Sequence, residues 1–231
     1  MRRYLFMRHA APINDEGSFH LSAFRRDMRA EMDEVLSARG ISQAVQAAEA
    51  MRTQQIQIVV TSDMKRAAQT GQIIAEELAA QCIVLPGLRE IAPGEAPGRA
   101  GRLVLPLLDP RLPRFVRRTA GQLLAAYLSL RYIWSWRRGL NRDGETIEKV
   151  RTRVEAALRA LDQRPERTIL VVGHGFWILF LALMLTKPHR RLILRWVKNC
   201  SVTEIATDEQ GNRRLLYFAR PAGDAPARVE S

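Results

Sequence analysis

Residues 168–186 read TILVVGHGFWILFLALMLT, nineteen consecutive positions without a formal charge between Arg167 and Lys187. Length and hydropathy alone match a membrane span. Gly173-His174-Gly175 cuts the run in the middle, however, and TILVV before it is short and β-branched. The stretch therefore parses as strand, glycine turn, helix. The same grammar recurs through the chain. Arg3–Met7 (RYLFM) reads as a buried strand running directly into Arg8-His9, and Ile56–Val60 and Cys82–Leu85 as two more. A helix is expected over Ser42–Thr53, with Ala44, Ala47, Ala48 and Met51 on one stripe, and another from Met64 to Ala80, with Thr61-Ser62-Asp63 as natural N-caps. A further helix is expected over 146–162. Val202–Ala206 is expected to pair with Leu215–Ala219 across residues 208–212, and the tail 221–231 reads as flexible. Strands alternating with helices imply an α/β protein with a largely parallel sheet.

Composition agrees. The chain has 231 residues, 47% hydrophobic and 26% charged, enough apolar side chains for a sizeable core and too few Pro and Gly for a disordered or collagen-like class. Cys82 and Cys200 stand far apart, so neither a disulfide framework nor a structural zinc site is supported, and no metal is expected. No signal peptide is apparent at Met1–His9, and a reducing cytoplasm fits best.

The net charge of +12 is unevenly placed. Residues 99–142 hold ten arginines against one acid, Asp109, a local balance of +9 that leaves only +3 for the remainder. Such a segment suits an anionic substrate or partner, or forms a solvated arginine-rich face. The surrounding residues 91–142 also break the strand-helix alternation. Five prolines chop the first half, and a helix over Thr119–Arg137 would place Leu123, Tyr127, Leu130 and Trp134 on a buried stripe. An insertion of this kind reads as a lid over a site or as an extra packing layer.

The polar residues at strand ends are ambiguous singly and converge together. Arg8-His9 follow the first strand, Arg66 opens the helix after the second, Glu90 follows the third, and His174 follows the strand at 168–172. In an open α/β sheet the carboxyl ends of neighbouring strands face one crevice. Two histidines, two arginines and a carboxylate there make a phosphoryl-transfer site.

At these residues the chain resembles the histidine phosphatase superfamily, the phosphoglycerate-mutase-like proteins. The matching pieces are Arg8-His9-Ala10, Leu36–Gly40 followed by Gln43-Ala44, Ser62 through Arg66-Ala67 to Gln69-Thr70, and Leu88-Arg89-Glu90. Asp143–Thr146, Gly173-His174-Gly175 and Asn199–Val202 follow in the family's order. The resemblance implies a single domain over residues 1–231, a three-layer α/β/α sandwich with a mostly parallel central sheet and an inserted, partly helical basic lid at 91–142. It also implies a metal-independent phosphatase with no cofactor. Arg8 and Arg66 suit the dispersed charge of a phosphoryl group in flight. Their charges disfavour the imidazolium of His9, which is expected to attack phosphorus and form a phosphohistidine. Glu90 is placed to give a proton to the leaving group and take one from water. His174 is expected to donate to a phosphoryl oxygen at a helix N-terminus.

Several positions depart from the family pattern. Ala10 stands where glycine is usual, Asp15 where asparagine is often found with Asn14 one place early, and Leu179 where an arginine is frequent. The extended segment that marks the mutases after the L-x-E glutamate is not found in 91–142, so phosphatase is favoured over mutase. The expected substrate is an anionic phosphorylated small molecule or a phosphoprotein, and nucleic acid is not expected. The rival classes are a mutase-type phosphotransferase and a non-catalytic binding protein that uses the arginine-rich segment on a membrane surface or acidic partner. The helix Phe176–Leu185, apolar on every side, implies full burial, a dimer contact or contact with the lid. His20 and His189 are expected at surface or structural positions.

Overall fold

The structure, a computed structural model, describes residues 1–13, 34–92, 94, 127, 131, 134–186 and 197–224. Among the described residues the strands and principal helices are, in chain order, β1 (Arg2–Arg8), α1 (Ala38–Met51), β2 (Ile58–Thr61), α2 (Lys65–Glu77), β3 (Gln81–Val84), α3 (Ile147–Asp162), β4 (Thr168–Gly173), α4 (Gly175–Leu185), β5 (Ser201–Thr207) and β6 (Arg213–Pro221). The strands form one six-stranded sheet in the order β3-β2-β4-β1-β5-β6. The β2–β3, β2–β4 and β1–β4 pairs are parallel; β1–β5 and β5–β6 are antiparallel. The nineteen-residue apolar run is thus split into β4 and α4 at His174, and no helix among the described residues is long and apolar enough to cross a membrane.

Alternation along β1 explains why both sheet faces carry helices. Leu5 and Met7 pack with Val59, Leu170 and the helix residues Ala48 and Ala67 in one core cluster. Tyr4 and Phe6 point the other way, where Phe6 meets Trp177 of α4 at a centroid distance of 5.7 Å and Tyr4 Oη donates to Asp162 Oδ1 at 2.6 Å. Buried on both faces, the central strands read as continuous apolar runs. The result is the layered α/β/α arrangement with a mostly parallel sheet.

The stripe expected on α1 is buried: Ala44, Ala47, Ala48 and Met51 all face the core, and Ser37 caps the helix by accepting from Gly40 N–H at 3.1 Å. Gly40 is required there, because a Cβ would lie 2.0 Å from the carbonyl oxygen of Ala11. Two expectations need correction, and one alternative falls away. The N-cap of α2 is Met64, without a side-chain capping bond; Ser62 instead accepts from the Met64 N–H at 3.3 Å, one residue outside the helix. Pro221 ends β6, and Ala222–Asp224 form a 3-10 turn, so the tail begins later than expected, and residues 225–231 lie outside the described residues. Of the three alternatives for α4, full burial does not hold: Trp177, Ile178, Leu181 and Ala182 are buried, whereas Leu179, Phe180 and Leu183 are only half-buried.

The described residues fall into two compact units, residues 1–13, 34–91, 153–186 and 197–224 in one and 92, 94, 127, 131 and 134–152 in the other. In the second unit Ala92 and Glu145 are doubly tied: Glu145 N–H donates to the Ala92 carbonyl at 2.7 Å, and Ala92 N–H to Glu145 Oε2 at 3.1 Å. Trp136 Nε1 donates to the Glu145 carbonyl at 2.6 Å. The expected stripe fails at both described positions, since Tyr127 and Trp134 are each 52% exposed while Ser135 and Trp136 are buried. Arg138 lies over the Trp134 ring, 4.9 Å from its centroid, so the indole serves as a platform for a cation on the surface. Leu123, Leu130 and most of the expected lid lie outside the described residues.

Candidate active site

The first compact unit brings Arg8, His9, Arg66, Glu90 and His174 to the carboxyl ends of the parallel strands, where the sequence places them. His9 leaves β1 with its N–H on the Gly173 carbonyl at 2.9 Å, so the two histidine-bearing strand ends are locked together. The rings of His9 and His174 lie 5.2 Å apart between centroids. Both are buried.

Hydrogen bonding fixes the tautomer of His9. Nδ1 is 2.8 Å from the carbonyl oxygen of Ala10, which can only accept, so Nδ1 carries the proton. Nε2 therefore presents a lone pair, and Arg66 Nε donates to it at 3.1 Å. Burial is the largest influence holding His9 neutral, followed by the repulsion that a second proton on neighbouring His174 would add and by the charges of Arg8 and Arg66. His174 is also held well below its ordinary value, by burial first and then by Arg66, Arg8 and Arg153. The sequence argument for a neutral His9 rested on the arginines alone; burial ranks ahead of them.

The second imidazole is held through Ser62, whose Oγ accepts from Met64 N–H at 3.3 Å and lies 3.1 Å from His174 Nε2. His174 Nδ1 is a buried atom without a hydrogen-bond partner among the described residues. A buried polar atom of this kind is costly unless a ligand group meets it.

Glu90 sits at the amino end of α4. His174 occupies the N-cap position but makes no capping bond; Glu90 Oε1 accepts from Trp177 N–H and from Ile91 N–H, each at 3.0 Å, and Oε2 from Phe176 N–H at 3.3 Å. A carboxylate thus meets the positive end of the helix. Its loop is held by Arg153, whose Nη1 donates to the carbonyls of Gly87 at 3.0 Å and Arg89 at 2.7 Å. Arg8 Nη1 donates to the Val197 carbonyl at 2.8 Å, and the Arg8 stem passes so close to Gly175 that a Cβ there would lie 3.3 Å from Arg8 Cδ. Gly173 has ordinary room for a Cβ, whereas at 175 the Arg8 side chain would have to give by a few tenths of an ångström.

Other residues build the site without having been singled out as members. Asn199 Nδ2 donates to the His9 carbonyl at 3.0 Å, and Thr70 Oγ1 accepts from Ala10 N–H at 3.1 Å. Glu34 places Oε2 3.5 Å from Arg66 Nη1. Ser62, Thr70 and Asn199 were visible as parts of motifs; Glu34 had no signal in the sequence. Among the described residues no cluster of His, Cys, Asp and Glu has the composition of a metal site. Asn14, Asp15, His20 and His189 lie outside the described residues.

The sequence profile of the histidine phosphatase superfamily, branch 1, matches residues 5–219. The chain belongs to the histidine phosphatase superfamily. A probable phosphoglycerate mutase GpmB of Enterobacter sp. (strain 638) is 30% identical, over 86% of each chain. The protein of the same name from Yersinia enterocolitica is 27% identical over the same shares. Among solved structures, a mycobacterial glucosyl-3-phosphoglycerate phosphatase in complex with inorganic phosphate aligns with a TM-score of 0.66 at 23% identity, covering 97% of this chain and all (100%) of that one. Bacillus stearothermophilus YhfR aligns with the same TM-score of 0.66 at 19% identity, over 94% and 96%. These structural likenesses bear on the fold; the profile bears on the family.

Proposed function

We propose that this histidine phosphatase superfamily member hydrolyses phosphomonoesters through a phosphohistidine on His9. The observation that carries the reading is the pairing of a neutral, buried His9, its Nε2 lone pair facing outward from the Nδ1 anchor, with the Arg66 guanidinium at 3.1 Å. In the first step His9 Nε2 bonds to phosphorus and the ester P–O bond breaks. The departing oxygen takes a proton from the Glu90 carboxyl group, whose Oε2 accepts from Phe176 N–H at the longer distance of 3.3 Å. Arg8, Arg66 and His174 Nδ1–H carry the charge on the remaining phosphoryl oxygens. In the second step water bonds to phosphorus, Glu90 recovers a proton from it, and the P–N bond breaks to restore the lone pair. The water-derived oxygen leaves with inorganic phosphate. Brief incubation with a turned-over ester, alkaline quench and mass spectrometry test the scheme: an acid-labile adduct on His9 is expected, and retained turnover in His9→Ala overturns it.

The relatives named phosphoglycerate mutase favour a second reading, in which the phosphoryl group passes to a hydroxyl instead of water. Including a large excess of an acceptor alcohol and measuring the ratio of inorganic phosphate to transferred ester separates the two. Hydrolysis dominating at every acceptor concentration supports the phosphatase. The basic segment enters through its charge: a local +9 raises the concentration of multiply anionic substrates around the protein at low salt. Arg137 and Arg138 are exposed. Replacing both by Gln should raise KM for a multiply charged ester and flatten its salt dependence, with a small aryl phosphate nearly unaffected. Equal responses would make the segment a packing layer.

A further inference from the structure

We propose that Glu34 is a resident counter-anion of Arg66, which an incoming phosphoryl group must displace, so that this carboxylate sets a threshold for anion binding at the site. The proposal rests on the phosphoryl-transfer reading of Arg66 and His9. The carboxylate and guanidinium side chains are 9% and 5% exposed, so the pair is shielded from water. Arg66 Nε is committed to His9 while Nη1 of the same fork faces Glu34 Oε2 at 3.5 Å.

The placement is built into the fold. Two residues after Glu34, Leu36 pairs with Pro12, and the Leu36 N–H donates to Gln69 Oε1 at 2.8 Å. Gln69 lies one turn along α2 from Arg66, and Pro12 lies three residues beyond His9. Between them, the Val35 carbonyl accepts from Ile13 N–H at 3.1 Å. The backbone around Glu34 is therefore tied to the segment that follows the nucleophile and to the helix that carries the arginine.

A buried guanidinium left without a counter-charge is costly, and Glu34 offsets that cost when no anion is bound. A phosphoryl group approaching His9 Nε2 needs the same guanidinium as a donor. Two anions on one fork repel, so binding must loosen the Glu34 contact. At 3.5 Å that contact is longer than the roughly 2.7–2.9 Å of a tight charge-assisted bond, as suits one that is to be released. A role in merely orienting Arg66 would have the opposite consequence on removal.

The sign of the effect decides between them. Glu34→Gln keeps the shape and removes the charge; Glu34→Ser removes both and serves as the second variant. Inorganic phosphate is titrated into the full-length wild type and both variants by calorimetry, with orthovanadate inhibition and 4-nitrophenyl phosphate kinetics alongside. Both variants should bind phosphate about tenfold more tightly, the equivalent of losing one modest charge repulsion. KM should fall in step, and phosphate should raise Tm more in the variants than in the wild type. Unchanged, weaker or undetectable phosphate binding in both variants overturns the proposal. If no ester is turned over by the wild type, the hydrolase reading fails by itself, while the phosphate titration still decides the role of Glu34.

Discussion

Arg66 Nε donates a hydrogen bond to His9 Nε2 across 3.1 Å, so the positive group that would stabilise a transferring phosphoryl also rests on the lone pair that would attack it. The arrangement restrains the imidazole from both ends, with Nδ1 on the Ala10 carbonyl and Nε2 on the guanidinium. A substrate phosphoryl must draw the guanidinium onto its own oxygens before the lone pair can reach phosphorus. It follows that the covalent adduct should form on Nε2 and not on Nδ1, whose proton is committed to the backbone. The two phosphohistidine isomers differ in phosphorus chemical shift and in hydrolytic stability. A trapped intermediate showing the Nδ1 isomer would mean that the ring flips before attack and would void the tautomer argument.

Neutral, buried histidines make the protein sensitive to acid. Both His9 and His174 are held well below the ordinary histidine range, so on lowering pH the unfolded chain takes up their protons near pH ~6.5 while the native protein does not. The unfolded state then binds more protons and stability falls with pH. The loss begins below pH ~6.5 and continues until the depressed native values are reached, at up to about 1.4 kcal/mol per pH unit for each histidine. Above that range neither contributes a slope. Urea unfolding at pH 7.5, 6 and 5 checks this, with His174→Gln expected to show a shallower fall than the wild type. Imidazole resonances of His9 that titrate normally between pH 8 and 6 would contradict it.

How much of this was legible in the residues depends on whether the signal is local. Two strand ends were legible because buried apolar runs stop at a polar residue, and Arg8-His9 and His174 stand at those stops, whereas Glu90 follows the end of β3 by six residues, beyond the 3-10 turn Pro86–Leu88. Tyr127 and Trp134 misled because spacing identifies a face and not what covers it; Trp134 faces outward and stacks under Arg138. The cap of α4 was invisible because its carboxylate comes from Glu90, far away in sequence. Glu34 was invisible for the same reason. It reaches Arg66 only after Leu36 has docked on Pro12 and Gln69, which no periodicity announces.

Ser62 should matter through His174. Its hydroxyl accepts from Met64 N–H and lies 3.1 Å from His174 Nε2; donating its proton there would keep the second imidazole protonated on Nδ1, as the proposed phosphoryl contact requires. Ser62→Ala frees the ring to adopt either tautomer and removes an acceptor for a buried N–H. Turnover should drop by roughly tenfold to a hundredfold, in the range of losing one positioned donor, with KM changing less than kcat. Nitrogen chemical shifts of His174 read the tautomer directly. A Ser62→Ala protein with unchanged His174 shifts and lowered activity would assign Ser62 to the helix start instead.

Glu90 is the residue on which proton transfer and architecture compete, since the carboxyl group proposed to protonate the leaving oxygen also accepts the Phe176 and Trp177 N–H groups. Glu90→Gln separates the functions. The amide oxygen can still accept from Trp177 and Ile91, whereas the amide nitrogen cannot accept from Phe176, so a modest loss of stability of about 1 kcal/mol is expected, typical of a weakened cap. Proton donation is lost altogether. Alkyl phosphates, whose leaving alkoxides need that proton, should slow by a factor of about 10²–10⁴, the usual worth of a positioned general acid. Aryl phosphates with nitrophenolate leaving groups depart without help and should slow far less in the step that forms the phosphohistidine. Single-turnover measurements on both substrates isolate that step. Equal slowing of the two, together with a lowered Tm, would make Glu90 the cap of α4 and nothing more, and would move the search for the proton donor elsewhere in the site.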